Sequence, residues 1–77
     1  MDLQKDIDKY GKNVKYYRKK FNLTQAQLAE LTNLSTNYIG MIERGKRNIK
    51  LDKILKIANS LNTPASKFFE DNKKKIF

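Results

Sequence analysis

The side chains best suited to chemistry lie on one side of a short predicted helix near the middle of the chain. At about 100° per residue, Ile39 and Ile42 define the inward side of this helix, and Asn37, Met41 and Arg44 fall nearly opposite. Asn can form paired hydrogen bonds with adenine, Met can contact a thymine methyl group, and Arg can bind a phosphate or guanine. The alternative is an ordinary solvated helix face, so the surrounding sequence has to distinguish the two.

Two further residues, Thr36 and Gly40, flank this outer side. Thr36 adds a hydroxyl and a methyl group that also suit base edges. Gly40 lies in mid-helix, where glycine costs about 1 kcal/mol of helix stability relative to alanine. It either permits a close approach to DNA or is simply tolerated.

A first helix has to precede the helix that carries these residues. Thr24 and Gln27 have the spacing of a capping box, in which each side chain satisfies a free backbone N–H group of the first turn. A helix is therefore predicted to begin at about Gln25. Its apolar side would consist of Leu28, Ala29 and Leu31.

The corner between the two helices is predicted at Asn33 and Leu34. Among residues other than glycine, Asn is one of the few that enter the left-handed backbone region at a small cost in strain. Ser35 is a second capping residue, and Gly45 supplies the C-terminal end of the second helix. Two helices of about nine residues each are expected.

Composition and charge limit the classes of function. Seventy-seven residues with 39% hydrophobic content allow one small domain with a modest core and no catalytic cleft of ordinary size. The formal charge of +9 favours polyanionic partners, with nucleic acid ahead of an anionic membrane surface. No apolar run exceeds two residues, so neither a membrane span nor a signal peptide is predicted.

The chain contains no cysteine and no histidine. Disulfides, thiolate nucleophiles, histidine general bases and the commonest zinc sites are therefore excluded. We expect no catalytic activity, no metal or other cofactor and no small-molecule ligand, and we take the cytoplasm as the default compartment.

The flanking segments are predicted to complete the domain. Residues Met1 to Asp8 are interpreted as a loose lead-in. A helix is expected from Asp8 to Phe21, with Tyr10, Val14, Tyr17 and Phe21 on its apolar side. After a basic loop at 46–49, a fourth helix is marked by five apolar residues that would fill the core: Leu51, Ile54, Leu55, Ala58 and Leu61.

The C-terminal part begins with Thr63 and Pro64, a capping residue followed by a proline at the first helical position. A short fifth helix is expected from Pro64 to about Glu70, with Phe68 or Phe69 turned inward. Residues 73–77 are interpreted as a frayed basic tail. The ordered core would thus cover about residues 8–70 of a single all-α domain.

Taken together, these residues resemble the lambda repressor and Cro family of helix-turn-helix domains, often called XRE-type. The resemblance covers about Gly11 to Glu70 and implies a compact five-helix fold with the helix-turn-helix at helices 2 and 3. Its carriers are Gly11, Val14, Tyr17 and Arg18, then Leu23-Thr24-Gln25 with Leu28-Ala29, then Tyr38-Ile39 and Ile42-Glu43-Arg44-Gly45, and finally Leu51, Ile54, Ile57-Ala58 and Leu61.

The resemblance also implies roles for individual residues. Gln25 would clamp a DNA phosphate, although it could instead only stabilise the first helical turn. A salt bridge would join Arg18 to Glu43 as a structural pair. The residues expected at bases are Thr36, Asn37 and Met41, and those expected at the sugar-phosphate backbone are Tyr38, Arg44, Lys46, Arg47 and Asn48.

The function expected from this resemblance is that of a transcriptional regulator that binds double-stranded DNA specifically, as a homodimer on a palindromic operator. The residues expected at the dimer interface are Ile57, Phe68 and Phe69, because the predicted core leaves Ile57 and one of the two phenylalanines without a burial site. The alternative is that both phenylalanines cap the core of the monomer. An antitoxin-like module that binds a protein partner and regulates itself, and a nonspecific nucleoid-coating protein, are the alternatives.

Overall fold

The computed structural model describes residues 3–46 and 49–71. These residues form the α-helices α1 (Leu3–Lys20), α2 (Gln25–Thr32), α3 (Thr36–Glu43) and α4 (Leu51–Ser60), followed by a 3₁₀ helix at Ala65–Phe69. The all-α class is as predicted. None of the helices in the described ranges is long and apolar enough to cross a membrane.

The corner between α2 and α3 follows the sequence prediction closely. Thr24 and Gln27 form both bonds of the capping box at the start of α2. Asn33 adopts the left-handed conformation, with φ 56° and ψ 36°, and its N–H group bonds the carbonyls at the end of α2. The Ser35 hydroxyl accepts a 3.0 Å hydrogen bond from the Tyr38 N–H group and caps α3. Each helix has eight residues.

The first helix begins earlier than expected. Residues 3–8 are helical rather than a loose lead-in, and α1 ends at Lys20, so Phe21 is outside the helix and exposed. Leu3 and Ile7 extend the four-and-three spacing of Tyr10, Val14 and Tyr17 toward the N-terminus, which explains the longer helix. The Gln4 side chain donates a 3.0 Å hydrogen bond to the Gly45 carbonyl and so joins this extra turn to the end of α3.

Helix α1 approaches α3 closely. A Cβ atom built on Gly11 would overlap the Ile42 carbonyl oxygen, so only glycine fits at this crossing. Gly45 has a φ of 69°, as expected for the residue that ends α3. A Cβ atom there would overlap the Asp8 carboxylate. Gly11 is thus required by the contact between α1 and α3, and Gly45 by its backbone conformation.

The fifth predicted helix is a 3₁₀ helix rather than an α-helix. Pro64 has an extended ψ of 140° and precedes the helix instead of occupying its first position. Its carbonyl accepts a hydrogen bond from the Lys67 N–H group, the i to i+3 pattern of a 3₁₀ turn. The buried Asn13 amide donates to the Phe68 and Glu70 carbonyls, each at 2.8 Å, so these carbonyls are directed toward α1.

The buried side of α4 differs from the prediction. Ile57 and Phe68 are fully buried with 0% exposure, so their expected place at a dimer interface is wrong. Leu51 and Leu55, expected in the core, are 70% and 46% exposed. The apolar arc of α4 is wider than the side that can contact the neighbouring helices, and the residues that pack are Ile54, Ile57, Ala58 and Leu61.

One apolar residue of α2 is also outside the core. Leu31, predicted on its apolar side, is 57% exposed, whereas Leu28 and Ala29 are buried. The remaining core side chains come from α1 and α3 and include Tyr10, Val14, Tyr17, Ile39 and Ile42. This core holds α3 against α1 and α2 and leaves the outer side of α3 uncovered.

Candidate nucleic-acid interface

The outer side of α3 carries the three residues predicted to contact bases. Thr36 and Asn37 are exposed and Met41 is half-buried, while Ile39 and Ile42 on the opposite side are buried. The Asn37 amide nitrogen lies 3.6 Å from the Met41 sulfur, one helical turn away. The structure therefore brings an amide, a hydroxyl and a thioether together on one accessible face of a short helix. Their contact with DNA stays a prediction.

A hydrogen-bond network connects the beginning of α2 to the end of α3. Arg18 donates to Glu43 from Nε at 2.6 Å and from Nη2 at 3.1 Å, so the predicted salt bridge is present and is bidentate. Its side chains are only 9% and 3% exposed. Arg18 also donates a 2.8 Å hydrogen bond to the Leu23 carbonyl and thereby holds the loop before α2.

Gln25 belongs to the same network, which the sequence did not reveal. Its Nε2 atom donates a 3.0 Å hydrogen bond to Glu43 Oε1. The first turn of α2 is capped by Thr24 and Gln27, so the side chain of Gln25 is not needed for that purpose. Glu43 instead orients the Gln25 amide at the helix N-terminus, where the partial positive charge of the helix favours a phosphate.

The residues predicted at the sugar-phosphate backbone are only partly described. Arg44 and Lys46 are exposed and Tyr38 is half-buried against the core. Arg47 and Asn48 lie outside the described residues. Their expected contacts with the backbone stay predictions.

Two lysines that the sequence analysis did not select lie near Tyr38, which is one of the residues predicted at the backbone. Lys50 and Lys53 line a shallow hollow together with Tyr38 and the corner residues Asn33, Leu34 and Ser35. The signal that could have indicated them is their position just before α4 and in its first turn, next to the predicted basic loop. They extend the cationic surface beyond α3.

A separate apolar groove lies between the N-terminal turns of α1, the start of α4 and the 3₁₀ helix. It is lined by Leu3, Ile7, Tyr10, Ile49, Ile54 and Phe69, with Asp6 beside them. Phe69 is 42% exposed. Leu51 and Leu55, on the same helix as Ile54, are also exposed.

Tyr10 is the buried polar residue next to this groove. Within the described residues its hydroxyl oxygen has no hydrogen-bond partner. Burial raises the pKa of the Tyr10 phenol well above its ordinary value, and the neighbouring Tyr38 adds to this effect. Over the described ranges, no three Asp or Glu side chains are grouped closely enough to hold a metal ion.

A family model described as helix-turn-helix matches residues 14–68. The control protein C.SmaI of Serratia marcescens is 45% identical over 57 residues, which is 74% of this chain and 68% of that protein. The immunity repressor protein of Bacillus phage phi105 is 41% identical over 56 residues, or 73% of this chain and 39% of the repressor.

The fold is also similar to a solved structure, that of the restriction-modification controller protein C.AhdI from Aeromonas hydrophila. The TM-score is 0.80 at 38% sequence identity, and the match covers 83% of this chain and 97% of that one. The match therefore includes nearly all of the solved chain, not only the two helices of the corner.

Proposed function

Since this chain belongs to the helix-turn-helix family, we propose that it is a sequence-specific double-stranded DNA-binding transcriptional regulator of the repressor or restriction-modification controller type. The observation that carries this proposal is the outer face of α3, where Thr36, Asn37 and Met41 are accessible while Ile39 and Ile42 are buried beneath them. The charge of +9 suits a polyanionic partner of this kind.

The proposed contacts divide into two sets. Thr36, Asn37 and Met41 contact base edges in the major groove and determine the preferred sequence. Gln25, Tyr38, Arg44, Lys46, Arg47 and Asn48 contact the sugar-phosphate backbone and supply most of the affinity. We add Lys50 and Lys53 to the second set, because they share the hollow beside Tyr38.

We further propose that two copies bind a palindromic operator, since one α3 contacts too few base pairs to define a site. Phe69 stays in the proposed interface, and Leu51 and Leu55 replace the buried Ile57 and Phe68. Across a two-fold axis these exposed apolar side chains would contact their own copies.

Selection of bound duplexes from a random pool at physiological salt tests the specificity. A regulator of this type returns a consensus with two-fold symmetry, and Lys46→Ala lowers affinity for all duplexes with a salt dependence smaller by about one unit per subunit. A pool that shows no enriched sequence although the protein binds would favour the nonspecific nucleoid-coating alternative. Absence of binding to any duplex would refute the proposed function.

Sedimentation over a concentration series tests the dimer. The double variant Leu51→Asp, Leu55→Asp should be monomeric at concentrations where the wild type is dimeric, because the exposed apolar patch becomes charged. Leu31→Asp is the matched control, since Leu31 is also exposed but belongs to α2. A wild type that stays monomeric at high micromolar concentration, both free and on the selected duplex, would contradict the dimer.

A further inference from the structure

Gly40 is the one glycine of the chain whose place is not explained by a contact between helices or by its backbone conformation. It is in the middle of α3, and the only glycine with a positive φ in the described ranges is Gly45. Glycine lowers helix stability relative to alanine at such a position. Any reason for a glycine at residue 40 therefore lies outside the helix backbone.

The atoms nearest to Gly40 indicate why a side chain would be unfavourable there. A Cβ atom built on Gly40 would lie 3.0 Å from Nη1 and 3.8 Å from Cζ of Arg44, one helical turn further on. The shorter distance is tighter than an ordinary contact between non-bonded heavy atoms, which is about 3.5–4.0 Å. The Arg44 guanidinium thus lies next to the backbone at Gly40, which is buried although it flanks the outer side of α3.

The Gln25 side chain approaches the same point from α2. Its Oε1 atom would lie 3.7 Å from the Cβ built on Gly40. Its Nε2 atom is held by Glu43, and Glu43 is held in turn by Arg18. The two proposed phosphate-binding side chains, from different helices, therefore converge above a residue that has no side chain.

We propose that Gly40 is a positioning residue for DNA binding: it leaves the space in which Arg44 lies beside Gln25, so that both side chains reach the same stretch of DNA backbone. A guanidinium that already lies beside Gln25 in the free protein needs less rearrangement when it contacts a phosphate. This inference rests on the proposed function and assigns a role to a residue outside both proposed contact sets.

Thermal stability and DNA affinity should change in opposite directions when Gly40 is replaced by alanine. Gly40→Ala should raise the melting temperature by about 4 °C or more, because alanine is the better helix former. The same change should weaken binding to the selected duplex slightly, because the guanidinium has to shift by a few tenths of an ångström. Gly40→Leu places a much larger side chain in this space and should weaken binding by about tenfold, the loss expected for one charge-assisted hydrogen bond and for Arg44→Ala itself.

The salt dependence of binding and two double variants distinguish a positioning role of residue 40 from a direct contact of residue 40 with DNA. Gly40→Leu should reduce the salt slope of binding by about one unit per subunit, as Arg44→Ala does. In the Arg44→Ala background, Gly40→Leu should have a clearly smaller effect, limited to what the leucine does to the neighbouring Gln25 side chain. In the Lys46→Ala background, the matched control, its effect should be fully retained.

Three outcomes would overturn the inference. Gly40→Leu could bind with wild-type affinity, or it could weaken binding equally with and without Arg44, which would mean that residue 40 itself approaches the DNA. Its salt slope could also equal that of the wild type. A wild type that binds no duplex would refute the proposed function itself, and this failure is recognised before any variant is measured.

Discussion

Removal of the Glu43 carboxylate should destabilise the protein far more than removal of one partner from an exposed ion pair. Glu43 accepts hydrogen bonds from Arg18 Nε, Arg18 Nη2 and Gln25 Nε2, and its side chain is only 3% exposed. The Arg18 side chain is 9% exposed. Glu43→Ala therefore leaves a buried guanidinium without its partner, which costs more than the net worth of the pair.

The expected magnitude follows from this burial. Breaking a buried ion pair by removing one partner costs about 3–5 kcal/mol. Each kcal/mol lowers the melting temperature of a domain of this size by about 4–8 °C, so Glu43→Ala should melt at least about 12 °C below the wild type. Thermal unfolding followed by circular dichroism, with urea titrations to obtain the free energy of unfolding, measures the effect.

A matched control exists in the same chain. Lys67 and Glu70 form an ion pair at 3.6 Å whose side chains are both 49% exposed. Glu70→Ala should change the free energy of unfolding by less than about 1 kcal/mol. Glu43→Ala should also bind all duplexes more weakly without changing the preferred sequence, because Gln25 loses its anchor. A Glu43→Ala variant that melts like the wild type, or that selects a different sequence, would refute this reasoning.

Three further predictions concern Asn37, Tyr10 and Gly11. Asn37→Ala should cost about 1–3 kcal/mol on the selected duplex and remove the preference at one base pair per half-site; an equal loss on random DNA would make Asn37 a backbone contact. Burial raises the pKa of the Tyr10 phenol above its value in the unfolded chain, so the unfolded chain loses this proton first. The free energy of unfolding should therefore be unaffected by this group below about pH 10 and should fall as the pH rises further. Tyr10→Phe should remove that part of the alkaline loss in melting curves at pH 7 and 11, and identical pH profiles would count against it. Gly11→Ala should lower the melting temperature although alanine favours helices, because its methyl group overlaps the Ile42 carbonyl; a higher melting temperature would show that α1 can move away.

The corner between α2 and α3 could be predicted because its determinants are local. Thr24 and Gln27 are three residues apart, and the Ser35 hydroxyl accepts from a residue three positions later. Asn33 needs only its own backbone preference to adopt the left-handed conformation. Signals of this kind depend on neighbours in the sequence, so they are readable before the tertiary structure is known.

The buried side of α4 could not be predicted because it depends on which elements contact that helix. Its apolar residues span a wide arc, and periodicity alone does not say which edge of the arc is buried. Contacts with α2 and the 3₁₀ helix select Ile57, at one edge, and leave Leu51 and Leu55 at the other edge exposed. The same ambiguity led to the wrong assignment of Ile57 to a dimer interface.

The role of Gly11 shows why a residue type alone does not reveal a contact. Alanine is the better helix former at either Gly11 or Gly40, yet the two glycines face different atoms: a backbone carbonyl of α3 at Gly11, and the flexible end of the Arg44 side chain at Gly40. Gly11 and Arg18 are seven residues apart, hence on the same face of α1. The close crossing at Gly11 therefore sets the distance at which Arg18 reaches Glu43. A glycine and an ion pair that look independent in the sequence both depend on one separation, that between α1 and α3.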